Sequence, residues 1–240
     1  MRLIYCEPSL TSYAGHWASY SSAVVSGFKE LGIETHVFSS SRIHDELLKK
    51  FSAFKVFSIS PQANLSNDPL CGPLKNYLDV ADIFFRDLLK AKGITTKDCL
   101  YFEANSPAAL RGIILWTNQQ GVNAPRVIIS LNDKPLVKVT YDSDHKPVVS
   151  QIGINPALWR LSSLSIDSIV ASRIQFITCE SIFADIYPQL LDKPVHLLPH
   201  PFSKEKSQQS KSSPFTVGFI GFQAPPKRFP SCTRYRRPVN

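Results

Sequence analysis

Apolar residues along the chain recur in two rhythms, short continuous runs and stretches repeating every three or four positions, and the two alternate with clear punctuation between them. Arg2 to Cys6 is a short apolar run that predicts a strand, and the loop from Glu7 to His16 is rich in small and polar residues. Trp17, Tyr20, Val24, Phe28 and Leu31 then share one helical face, and Gly32 stands where a left-handed cap belongs. Ile33 to Phe38 reads as the second strand. The cycle repeats with a helix near Arg42 to Phe51, a strand Phe54 to Ile59, a loop rich in Pro, Asn and Gly, and a long helix Lys75 to Lys92 stopped by Gly93. After the strand Cys99 to Phe102, Ser106-Pro107 starts a helix with a capping hydroxyl and a proline at the first helical position, and that helix ends at Gly121.

Arg126 to Leu131 is the next strand. A polar hairpin around Asp142 to Lys146, helices between Pro156 and Arg173, a strand Gln175 to Cys179, a helix from Ser181 and a strand Val195 to Leu198 complete the pattern. Strands separated by single helices require parallel pairing with crossover connections. The expected fold class is therefore α/β, a Rossmann-like doubly wound parallel sheet. Ligands of such sheets bind beyond the carboxyl ends of the strands, where the loops after Cys6, Phe102, Leu131 and Cys179 are expected to converge.

The pattern changes after residue 202. Ser203 to Ser213 is almost wholly Ser, Lys and Gln, a linker composition, and an apolar strand follows at Phe215 to Gly221. The expected organisation is one domain over residues 1–202, a linker over 203–214, and a remnant of a second domain over 215–240. Beyond Lys227 no periodicity remains, as a frameshift would produce. The apolar strand Val217 to Phe222, with no sheet of its own, is expected to pair with a partner chain or fold back.

Charge alters this picture little. The net charge is +8, but Pro201 to Asn240 carry eight basic side chains against Glu205 alone, leaving 19 basic and 18 acidic residues in the first 200. The basic character belongs to the end of the chain, and no basic stripe interleaved with aromatics predicts specific nucleic-acid binding. The five cysteines lie far apart without metal-ligand spacing, so no metal is expected. Cys6, Cys99 and Cys179 sit in or beside strands as buried thiols do, which implies a reducing compartment. No run approaches a membrane span, and a cytoplasmic location, with at most peripheral contact at the inner face of a membrane, is the expectation. Asp142-x-Asp144 is a carboxylate pair of the kind that holds a divalent cation, but its Asp-Ser-Asp-His setting reads as a surface turn. No G-x-G-x-x-G or G-x-S-x-G motif occurs. Trp116 and Trp159 read as core or interface residues.

Three segments, SYAGHWASYSSAVVSGFKELGIETHVF, FITCESIFADIYPQLLDKPVHLLPHPF and FTVGFIGFQAPPKRF, resemble the retaining glycosyltransferases of the GT-B fold, of the family 1 and family 4 type. These enzymes comprise two Rossmann-like domains with the active site between them. The resemblance implies the N-terminal half of that fold and transfer of a sugar from a nucleotide sugar to a hydroxyl acceptor, a glycan or a lipid carrier. It implies acceptor-side roles for Gly15, His16, Asn132, Glu180 and Ser181, a donor-side role for Lys227, and no separate cofactor. Asn132 stands where several relatives place a histidine, Phe222 where an arginine is expected, and Arg228 where a glycine usually follows. Asn132 can hydrogen-bond a hydroxyl but has no group that titrates near neutrality. Most of the donor domain is absent from the pattern, so the chain is expected to be truncated and weakly active or inactive alone. The alternative is a non-catalytic domain that holds an acceptor or a partner subunit.

Overall fold

In the computed structural model the chain is described over residues 2–198, except Gly15, Pro69, Asn105, Asp133, Gln151 and Ile152. The expected linker, the expected strand Val217 to Phe222 and Lys227 lie outside the described residues. The first half of the domain runs β1 (Arg2–Glu7), α1 (Trp17–Glu30), β2 (Glu34–Ser40), α2 (Asp45–Phe51), β3 (Phe54–Phe57), α3 (Gly72–Lys90) and β4 (Asp98–Glu103). The second half runs α4 (Pro107–Gln120), β5 (Arg126–Ser130), β6 (Lys138–Tyr141), β7 (Pro147–Ser150), α5 (Asn155–Leu164), β8 (Ile174–Thr178), α6 (Ser181–Leu191) and β9 (Val195–Leu197).

Seven strands form one parallel sheet in the order β3-β2-β1-β4-β5-β8-β9, flanked by helices on both faces, a Rossmann-like doubly wound fold. Alternation along each strand divides the core in two. Leu3, Tyr5, Val37, Cys99, Tyr101 and Ile177 face α1 and α2, while Ile4, Cys6, Leu100, Phe102, Ile129 and Phe176 face α3 to α6. Trp116 and Trp159 are buried in the second of these layers.

Helix boundaries follow local chemistry. The Ser106 hydroxyl accepts from the Ala109 amide at 3.1 Å with Pro107 opening α4, the cap that the sequence predicts. Gly32 and Gly93 adopt the left-handed φ values of 72° and 80° after α1 and α3. Helix α3 begins three residues before the predicted Lys75, because Pro73 is tolerated in a first turn and Asp68 accepts from the Leu70 and Cys71 amides ahead of it. Helix α2 begins at Asp45 rather than Arg42; Asp45 and Glu46 occupy its first turn, where negative charge suits the helix dipole. The helices α3 and α4 pack at Gly112, where an added Cβ would lie 2.6 Å from the Ala81 carbonyl oxygen and from the Phe84 Cβ.

The hairpin β6–β7 stands outside the main sheet and is tied to α6, where the Gln189 side chain accepts from the Val149 amide and donates to the Pro147 carbonyl. In its turn the Asp142 carboxylate accepts from the Asp144 and Lys146 amides, at 2.9 and 2.8 Å. Those bonds occupy the carboxylate in shaping the turn. No cluster of three or more His, Cys, Asp or Glu suited to a metal occurs among the described residues. No helix among them is long and apolar enough to cross a membrane.

Candidate functional site

Strands β2 and β3 extend the sheet to one side of β1, and β5, β8 and β9 extend it to the other side of β4. The carboxyl ends of β1 and β4 therefore mark the topological switch point, the place where open α/β sheets bind ligands. The last residue of each of these two strands is a glutamate. Tyr5 pairs with Tyr101 and Cys6 with Phe102, so Glu7 and Glu103 follow in step, on the face that α1 covers. Both are buried, with relative exposures of 0% and 3%.

Polar side chains from four strand ends surround the pair. Glu7 Oε1 accepts from the Ser9 amide at 2.9 Å and its Oε2 accepts from the Tyr5 hydroxyl at 3.4 Å. Asn132, just beyond β5, donates through Nδ2 to Glu103 Oε2 at 3.3 Å and to Ser130 Oγ at 2.6 Å. Its Oδ1 accepts from the Cys179 amide at 2.9 Å and from Thr178 Oγ1 at 3.5 Å. One amide side chain thus ties the ends of β4, β5 and β8 together. The Tyr20 hydroxyl, from α1, lies 3.1 Å from that of Tyr101 and 3.9 Å from Cys179 Sγ. Glu103 Oε1 is buried and has no partner in hydrogen-bonding geometry among the described residues.

Burial determines the protonation of this group. With no cation beside it among the described residues, Glu103 is pushed up to about 7, mainly by loss of water, against the pull of Tyr20, Asn132, Tyr101 and Ser130. Glu7 is raised well above the usual carboxylate range by burial first and by the neighbouring Glu103 charge second, against the Ser9 amide and the Tyr5 hydroxyl. Burial likewise raises the Tyr20 and Tyr101 phenols and the Cys179 thiol. Near neutrality Glu103 is divided between its two forms, and because its charge interacts with that of Glu7 the protons leave the pair as a unit. Such a pair can donate to one ligand oxygen and accept from a ligand hydroxyl.

Among the residues that the resemblance implies, Asn132 belongs to this network. Glu180 and Ser181 lie beside it, since the Glu180 amide donates to Thr178 Oγ1 at 3.3 Å, but both side chains are exposed. Glu180 is the N-cap residue of α6 without a side-chain capping bond, and Ser181 is the first helical residue rather than the cap. His16 is the exposed N-cap residue of α1, and its ring lies 4.1 Å from that of Trp17. Gly15 and Lys227 lie outside the described residues. Glu7 and Glu103 escaped sequence reasoning because the predicted strands stop one residue short, at Cys6 and Phe102. The available signal was an acidic residue directly after an apolar strand, occurring twice. No protein-family model matches the chain, and no curated protein matches its sequence.

Proposed function

We propose that this domain is the acceptor side of a sugar transferase, holding a hydroxyl group of a glycan or lipid-carrier acceptor while a sugar leaves a nucleotide donor. The observation that carries the reading is the polar network of Glu7, Glu103 and Asn132 at the switch point. An acceptor hydroxyl needs a hydrogen-bond acceptor that also takes up its proton, and a carboxylate titrating near neutrality is suited to that task. Donor-side contacts, Lys227 among them, belong to the same proposal.

The test is a thermal-shift series with UDP-glucose, GDP-mannose, methyl mannoside and maltose, because a ligand that binds the folded state raises its melting temperature. Stabilisation by an acceptor sugar that disappears in Glu103→Gln supports the reading; the absence of a shift with every sugar and donor rejects it. A second reading, a domain that binds without catalysing, is favoured by one observation. Both carboxylates lie beneath α1, at 0% and 3% exposure, out of reach of a ligand unless the helix or its preceding loop moves. Acceptor binding without release of the nucleoside diphosphate, in the presence of both substrates, would select this second reading.

A further inference from the structure

A second concave site lies beyond the carboxyl ends of β1, β2 and β3 and adjoins the buried pair at Ser9, whose amide donates to Glu7. It is a cavity of about 350 Å³, near the lower end of the range of roughly 300–1,000 Å³ typical of small-molecule sites. Hydroxyls reach it from three loops, Ser9 and Thr11 after β1, Ser40 at the end of β2, and Ser58 and Ser60 after β3. Ser12, Trp17, Arg42 and Gln62 also line it.

The bonding of these groups distinguishes scaffold from binding surface. Ser58 donates to the buried Asp87 at 2.7 Å, Ser60 donates to Gln62 at 2.7 Å, and Ser40 accepts from the Arg42 amide at 3.1 Å, so these three are engaged in holding the loops. Ser9 Oγ is buried without a partner among the described residues. No carboxylate is among the described residues that line the cavity, and Asp87 behind it accepts from the Ser58 amide and hydroxyl through one oxygen, Oδ2. The exposed Arg42 guanidinium forms none of the ion pairs found among the described residues, in contrast to those of Arg2, Arg86 and Arg160. A guanidinium without a counter-charge matches phosphate geometry through paired N–H donors. Hydroxyls with free hydrogen-bonding capacity suit a polyol, and an indole wall suits the C–H face of a sugar ring.

We infer that this cavity binds a sugar monophosphate, with Arg42 on the phosphate, Thr11 on a ring hydroxyl, and Trp17 against the ring. The inference rests on the lining of the cavity itself, and the transferase reading can fail without affecting it.

The test is isothermal titration of the chain with glucose 1-phosphate, glucose 6-phosphate, glucose and inorganic phosphate, alongside Arg42→Ala, Trp17→Phe and Glu103→Gln. Trp116 and Trp159 are buried at 3% and 2% exposure, so a fluorescence change on binding that is lost in Trp17→Phe reports this cavity. At least one sugar phosphate is expected to bind about tenfold or more tightly than glucose or phosphate alone, and Arg42→Ala to lose about that factor, as removal of a charge-assisted hydrogen bond implies. Glu103→Gln should leave this binding unchanged. An unchanged far-ultraviolet circular dichroism spectrum verifies that the exposed Arg42 is dispensable for folding. The inference is overturned if neither sugar phosphate binds at millimolar concentration, if a folded Arg42→Ala binds as the parent does, or if phosphate alone binds equally well, the mark of an adventitious ion only.

Discussion

At the amino ends of β1 and β4, Arg2 and Asp98 are register partners, and their side chains meet through two hydrogen bonds at 3.1 and 2.7 Å. At the carboxyl ends of the same two strands, Glu7 and Glu103 come together with no cation between them among the described residues. All three carboxylates are buried, yet their chemistry diverges. Burial opposes ionisation of Asp98, but the Arg2 guanidinium and the Thr95 amide and hydroxyl outweigh it and hold this carboxyl below its usual range. Burial with no counter-charge among the described residues raises Glu103 to about 7. The partner supplied by the neighbouring strand, and not burial alone, decides whether a buried acid secures the sheet or remains available for chemistry. The domain holds a stabilised edge and a destabilised one on a single strand pair, the arrangement expected where function is paid for in stability.

The comparison breaks most sharply if its stable end is removed. Asp98→Ala leaves the Thr95 amide without its acceptor and the Arg2 guanidinium with only the Gly93 carbonyl, and should destabilise the domain by about 3 kcal/mol, measured by urea unfolding at neutral pH. A change below about 0.5 kcal/mol would mean that this pair is surface electrostatics and not an anchor.

The destabilised end should respond in the opposite direction and with a pH signature. A carboxyl with a raised folded value binds more protons in the native than in the unfolded state between its ordinary value, 4.5, and about 7. Its stabilising contribution is therefore present at acid pH and lost as pH rises through that window. Glu103→Gln should gain about 2 kcal/mol over the parent at pH 8 and little at pH 5, read from unfolding curves at the two pH values. Destabilisation at pH 8 would show that the ionised carboxylate is held by its neighbours and not strained by them. The Asp98 contribution has the reverse sign. Its lowered value makes stability present above the ordinary carboxylate range and lost as pH falls through the folded value, so acid should weaken one end while relieving the other.

A smaller effect sharpens the contrast between scaffold and site at the carboxyl edge itself. Ser106→Ala removes the cap of α4 and should lower stability by about 1 kcal/mol, with the same loss at pH 5 and pH 8, because no charge is involved. A pH-dependent loss in this variant would connect the cap to the carboxylate pair.

The α/β alternation, the elements and most of their limits were legible in the chain because strands and helices announce themselves through local periodicity. Ser106-Pro107 and Gly32 act within their own turns, and each appears in the structure in the role that its residue type predicts. The carboxylate site was legible only in its setting, the ends of the strands. Asn132 stood out through the resemblance, but its bonds to Glu103 and to the Cys179 amide join residues far apart in the chain. Glu180 and Ser181 stood out in the same way and are exposed at the start of α6, because a helix start points its side chains wherever packing leaves room.

The sequence by itself determined the order of strands and helices, the apolar faces they bury and the caps that end them, since each depends on neighbours within a turn or two. Only the tertiary structure decided which strands lie side by side. By placing β4 against β1 and not beside β3, it set one glutamate next to another while it gave Asp98 an arginine. Charges separated by some ninety residues of chain acquire their energies only when a shared sheet brings them within reach and takes the water away.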